Sequence, residues 1–102
     1  MKKKVYTIKE IQEIIRPILE KSPVIKAILF GSYANGDATP QSDIDLLIDS
    51  NGVLRSFAFY GVLESLVQAT KKDVDLIDKQ ELVSGAQIER EILTSGIVVY
   101  ER

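Results

Sequence analysis

Two short apolar runs, Ile28-Leu29-Phe30 and Leu46-Leu47-Ile48, flank the stretch GSYANGDATPQSDID from Gly31 to Asp45. Apolar runs of this length, bounded by Gly, Pro, Asn and Asp, read as strands. The first spans Val24 to Phe30, between Pro23 and Gly31. The second spans Asp43 to Asp49, ahead of the turn Ser50-Asn51-Gly52. Alternation along the second strand sends Ile44, Leu46 and Ile48 to one face and Asp43, Asp45, Leu47 and Asp49 to the other. A chain with this pair must bury one face of a sheet and carry carboxylates on the opposite face.

The remaining elements fit around that pair. Thr7 followed by Glu10 has the form of a capping box. It opens a helix over residues 7–21 whose apolar stripe is Ile8, Ile11, Ile15 and Ile18, widened by Ile14 and Leu19. Pro17 removes a backbone donor from that helix and is expected to kink or divide it. A short helical turn starts at Ser32, and a loop follows through Gly36 and Pro40. A second long helix covers residues 54–70, with Phe59, Leu63 and Leu66 as its buried stripe and Val62 and Val67 beside it. A third strand runs from Asp73 to Asp78, with Asp73, Asp75 and Ile77 on one face. Ser84 with Gln87 reads as another capping box, opening a helix to about Ser95. Gly96 stops it, and Ile97 to Tyr100 forms a last strand. The order α, β, short α, β, α, β, α, β predicts an α/β (α+β) fold. Its sheet is small, mixed and twisted, with helices mainly on one face and the carboxylates on the other. All 102 residues are expected to form a single domain.

Missing residue types narrow the chemistry. The chain has no cysteine and no histidine. That removes disulfides, thiolate or imidazole metal ligands and histidine acid–base catalysis. Catalysis must rest on carboxylates, Lys, Arg, Tyr, hydroxyls or backbone amides. A net charge of −2 gives no footprint for duplex nucleic acid. No apolar run approaches membrane-spanning length, and no signal-peptide core follows Lys2-Lys3-Lys4, so a soluble cytoplasmic protein is expected.

Three features point to one chemistry. A glycine at a strand end lets a ligand approach the backbone, and a serine opening a helical turn adds a hydroxyl and free N–H groups. Gly31-Ser32 therefore suits a phosphate. Asp43 and Asp45 share a strand face, and oxygen-only ligands suit Mg²⁺. A carboxylate on the neighbouring strand, Asp73 or Asp75, would complete a two-metal site. Spacing alone does not choose between those two.

Gly31-Ser32, then Asp43-Ile44-Asp45, then Val74-Asp75-Leu76 resembles the DNA polymerase beta-type nucleotidyltransferase superfamily. The wording GSYANGDATPQSDIDLLID resembles its minimal branch, the MNT proteins, and the likeness covers residues 8–100. The resemblance implies that Asp43 and Asp45 bind both metals, that Asp75 is the third carboxylate, and that Gly31 and Ser32 hold a triphosphate. It implies two Mg²⁺ ions, ATP as substrate, and transfer of AMP to a protein hydroxyl. Members of the branch commonly pair with a helical HEPN toxin, for which the MNT protein is the antitoxin. Some members transfer AMP to a tyrosine of that toxin. One departure stands out. Many relatives carry arginine where this chain has Asn35, and often where it has Tyr33, so the loop lacks a cation for phosphate. The alternative is a binding module that keeps the fold and neutralises its partner by association alone.

Other residues receive plainer readings. Lys2 to Lys4 reads as a solvated, mobile tail; Lys71 and Lys72 read as solvated helix-end lysines, with substitution for the missing loop arginine as the alternative. Tyr33 could stack on a base or cap the loop. Tyr60 and Tyr100 read as core or rim residues. Asp37 and Asp49 lie near the proposed site without an assigned role. Phe57, Phe59 and Tyr60 make their helix apolar on too many sides, which suggests a partner surface. Homo-oligomerisation is left open.

Overall fold

A computed structural model describes residues 4–102. Its elements are α1 (Ile8–Glu20), β1 (Lys26–Phe30), α2 (Ser32–Asn35), β2 (Ile44–Asp49), α3 (Ser56–Thr70), β3 (Val74–Asp78), a 3₁₀ turn (Lys79–Glu81), α4 (Gln87–Ser95) and β4 (Ile97–Glu101). The four strands form a mixed sheet in the order β3-β2-β1-β4. β1 is antiparallel to β2 and β4, and β2 is parallel to β3. The parallel pair needs a crossover, which α3 supplies.

The buried face is built from the alternation the sequence shows. Ala27, Leu29, Ile44, Leu46, Ile48 and Leu76 pack with Ile11, Ile15 and Leu19 of α1 and Leu66 of α3 in one core. A register shift between Ala27 and Ile28 lets the consecutive residues Val99 and Tyr100 of β4 both join it. Thr7 and Glu10 form the expected capping box at the start of α1. Pro17 lies inside α1 without dividing it. It sits near the helix end on the exposed side, where water can satisfy the carbonyl that loses its partner. Only part of the expected α3 stripe is deeply buried: Leu66 is enclosed, while Phe59, Val62, Leu63 and Val67 are half-buried.

The opposite face is less open than expected. α4 packs there, with Ile92 against Phe30 and Leu47 and with Ile28, Ile77 and Leu82 around them. Gly96 brings this helix close to the sheet, because a Cβ at that position would lie 2.8 Å from Ile28 Cγ2. The Ser84–Gln87 box does not form. Ala86 is the N-cap, with no side-chain cap bond. Gly85 adopts φ +82 and donates its N–H to Glu89 Oε1 at 2.7 Å, so the chain enters α4 through a glycine turn. Lys2 and Lys3 lie outside the described residues, whereas Lys4 pairs with Glu10 at 2.6 Å. No helix among the described residues is long and apolar enough to cross a membrane.

Leu46 is fully buried and follows Asp45 directly, so the strand that carries the carboxylates is held by its other face. Leu46→Ala is expected to cost about 2–5 kcal/mol, read as a lower urea midpoint at unchanged slope. A loss under about 0.5 kcal/mol would contradict this packing.

Candidate active site

The site begins at the end of β1. Gly31 has φ 73 and ψ −152, a region essentially reserved for glycine. A Cβ at Gly31 would collide with the Asp45 carboxylate oxygen Oδ2, so the side chain of Asp45 lies directly against the Gly31 backbone. Gly31 is also the N-cap of α2, and its carbonyl accepts from Asn35 N at 3.0 Å. Ser32 is thus the first residue of the turn rather than its cap. Gly36, in the left-handed conformation, closes the turn, and Asp37 N donates to Ser32 O at 2.9 Å.

Sheet register then places the carboxylates. Asp45 stands opposite Phe30 on β1 and opposite Asp75 on β3. Adjacent strands lie about 5 Å apart, so Asp45 and Asp75 are immediate neighbours on the same face. Asp43 shares that face by alternation but precedes the first ladder residue, Ile44. Asp73 lies at the level of Asp43, one step outside β3. The register therefore separates Asp73 from Asp75 as neighbours of Asp45, a distinction that spacing could not make.

Burial, and then the charges of Asp75, Asp43 and Glu91, push the Asp45 carboxyl up to about 6 from an ordinary 3.8. Glu91, half-buried on α4, is a fourth acid that the sequence reading did not single out. Its local signal was slight: it directly precedes Ile92, the residue that seats α4 on the sheet. Among the described residues no three acidic side chains are drawn close enough together to form a ready-made metal-ligand set. The acids share a neighbourhood without converging on one point, and their charged forms repel one another. A divalent cation would relieve that repulsion. Mg²⁺ commonly takes only one or two carboxylates and draws its other ligands from waters and substrate phosphates, so these residues fit it.

Several other sequence readings change. Tyr33 is 4% exposed and belongs to the main core, so it neither stacks on a base nor caps the loop. Its hydroxyl has no hydrogen-bond partner among the described residues. Lys72 is not solvated. It is 5% exposed, and its ammonium donates to Pro40 O at 3.0 Å. Lys71, by contrast, is exposed at the C-cap of α3. Asp49 lies at the far end of β2, about 13 Å along the strand from Asp45, and pairs with Lys79 at 3.6 Å. Asp37 is exposed in the loop after α2. Tyr100 is a core residue, while Phe57 and Tyr60 are exposed.

Comparison with known proteins gives a consistent picture. The family described as "Polymerase beta, Nucleotidyltransferase" matches residues 12–102. The Methanocaldococcus jannaschii protein MJ1379 is 38% identical over 74% of this chain and 82% of its own length. A protein named protein adenylyltransferase MntA from Thermococcus cleftensis is 32% identical over 78% of this chain and 84% of its own. A crystal structure of a toxin–antitoxin with AMP-PNP superposes with TM-score 0.72 at 26% identity, covering 89% of this chain and 73% of that one.

The Gly31–Asp45 contact and the raised Asp45 carboxyl can each be tested. Gly31→Ala combines a disfavoured backbone with a collision at Asp45 and is expected to cost about 1–3 kcal/mol, measured by urea unfolding; an unchanged midpoint would contradict the contact. The second concerns pH. Because the native Asp45 carboxyl holds its proton up to about 6 against an ordinary 3.8, its contribution to stability is complete below about pH 4. That contribution is lost as pH rises through 6. Without divalent cations, Asp45→Asn should therefore melt higher than wild type at pH 7.5 and together with it at pH 4. Equal midpoints at both values would contradict the assigned repulsion.

Proposed function

The chain belongs to the polymerase beta nucleotidyltransferase family, and from that premise we propose that it is a Mg²⁺-dependent protein adenylyltransferase, moving AMP from ATP to a hydroxyl of a HEPN-type toxin. The observation that carries this reading is Asp45, held against the Gly31 backbone and beside Asp75 on one sheet face. The Thermococcus cleftensis relative bears the adenylyltransferase name, and the similar toxin–antitoxin structure contains an ATP analogue.

In this reading Gly31 and Ser32 receive the triphosphate. The glycine has no side chain to obstruct a phosphate, and Ser32 offers a hydroxyl and an N–H at the start of α2. Asp43 and Asp45 hold Mg²⁺, with Asp75 as the third carboxylate. Bound Mg²⁺ supplies charge neutralisation for the attacking oxygen and for the departing pyrophosphate. The acceptor oxygen forms a bond to the α-phosphorus while the bond from that phosphorus to the oxygen bridging the β-phosphate breaks. Pyrophosphate leaves with that electron pair, and Asp75 takes the hydroxyl proton. No arginine stands at Asn35, and the Lys72 ammonium is engaged by Pro40. Nucleotide affinity therefore leans on the cation more than on protein charge. ATP as substrate fits a cytoplasmic setting.

Incubation with Mg²⁺, α-labelled ATP and a HEPN-type toxin is expected to place label on the toxin. Asp43→Asn and Asp45→Asn should each lower transfer by about a hundredfold or more, and chelation of the cation should abolish it. A tight complex without label transfer, by wild type at saturating Mg²⁺ and ATP, would replace catalysis with neutralisation by association.

A further inference from the structure

Lys72 is the feature this reading leaves unused. A lysine at a helix end ordinarily sends its ammonium into water, and burying it is unfavourable unless it is well paired. Here the residue is 5% exposed, and its Nζ reaches Pro40 O, thirty-two positions earlier in the chain, at 3.0 Å. Its own backbone is fixed to the end of α3. Lys72 N donates to Thr70 Oγ1 at 3.3 Å, and that hydroxyl, itself buried, donates to Leu66 O at 2.7 Å. The next residue receives the first rung of the β2–β3 ladder, because Asp73 O accepts from Ile44 N at 3.0 Å.

Two consecutive residues thus grip both ends of the segment 40–44. At its start, Ser42 N donates to Thr39 O at 3.0 Å, and Thr39 N donates to Ser42 Oγ at 2.8 Å, which closes a compact turn over 39–42. Asp43 lies inside the gripped segment, exposed and outside the β2 ladder. No strand pairing fixes Asp43, whereas Asp45 and Asp75 are fixed by register. A loop that served only to connect α2 to β2 would need no buried cation. The same two-residue clip also starts β3, two positions before Asp75.

We propose that Lys72 is a positioning residue. Its hydrogen bond to Pro40 holds the approach to β2 against the start of β3, and so sets Asp43 relative to Asp45 and Asp75. The functional half of this claim rests on the adenylyltransferase reading; the structural half does not.

The test compares wild type with Lys72→Met, which keeps the apolar stem and removes the donor, and with Lys72→Arg, which restores a donor. Hydrogen exchange is read at amides 41–43 and at amides of α1 and β1. Losing a charge-assisted bond should speed exchange at 41–43 in Lys72→Met by about tenfold or more, with α1 and β1 unchanged. Under conditions where all three proteins are fully folded, kcat should fall by about tenfold while KM for ATP stays within about twofold. Lys72→Arg should recover most of both. Unchanged exchange at 41–43 overturns the proposal whatever the activity, and a loosened loop with unchanged kcat overturns its functional half. Absence of transfer by wild type would instead count against the adenylyltransferase reading, with the exchange result still deciding the clip. Should Lys72→Met not fold, amine acetylation of wild type decides: Lys72 is expected to react far more slowly than Lys71, and equal rates overturn the proposal.

Discussion

The carboxylate of Asp45 rests on a backbone position where no side chain fits. This contact joins the end of β1 to the start of β2 and brings an acid to the turn that opens α2. It works only because Gly31 lacks a Cβ and accepts a positive φ. Any other residue there would displace either the backbone or the acid. In the proposed function, phosphate binding at the turn and metal binding at the carboxylate would be two uses of one close approach. The proximity has a cost in the free protein. Asp45 is half-buried among other acids and holds its proton more tightly than an ordinary carboxyl. That strain is the kind a cation with a bound triphosphate relieves.

The rest of the fold keeps this contact in place. One face of the sheet is filled by α1 and α3, and its apolar residues alternate with the acids along β2. A one-residue slip would send Ile44, Leu46 and Ile48 outward and bury Asp45, so core and site enforce the same register. The second face is divided along the strand direction. At one level Phe30, Asp45 and Asp75 stand in a row; at the next Ile28, Leu47 and Ile77 lie beneath α4. α4 therefore walls the acidic row on one side and contributes Glu91 to its field. On the other side Asp43 is exposed.

Much of this was legible in the sequence, because local signals and tertiary demands coincide. Apolar runs bounded by Pro23, Gly31 and Gly52 marked strands, and alternation along 43–49 separated core from acid. Thr7 and Glu10 announced the first helix correctly. Most of the failures depend on contacts between distant residues, and the entry to α4 failed on a local one. Lys72 sits at a helix end where solvent is the default, and the loop returning past it at Pro40 takes up its ammonium instead. Tyr33 occupies a polar stretch, yet α2 turns it into the core. Ser84 and Gln87 matched a capping pattern, but Gly85 offered a turn that Glu89 stabilises instead. Spacing could not separate Asp73 from Asp75, since neighbours across parallel strands are set by register, and register is a property of two segments.

The most direct measurement of the central claim is a crystal structure of the protein with Mn²⁺ and a non-hydrolysable ATP analogue, with the metal located by anomalous scattering. Anomalous peaks are expected between Asp45 and its neighbours Asp43 and Asp75, with the triphosphate lying across Gly31 and Ser32. Nucleotide bound elsewhere, or a triphosphate at the turn with no metal at Asp45, would contradict that claim.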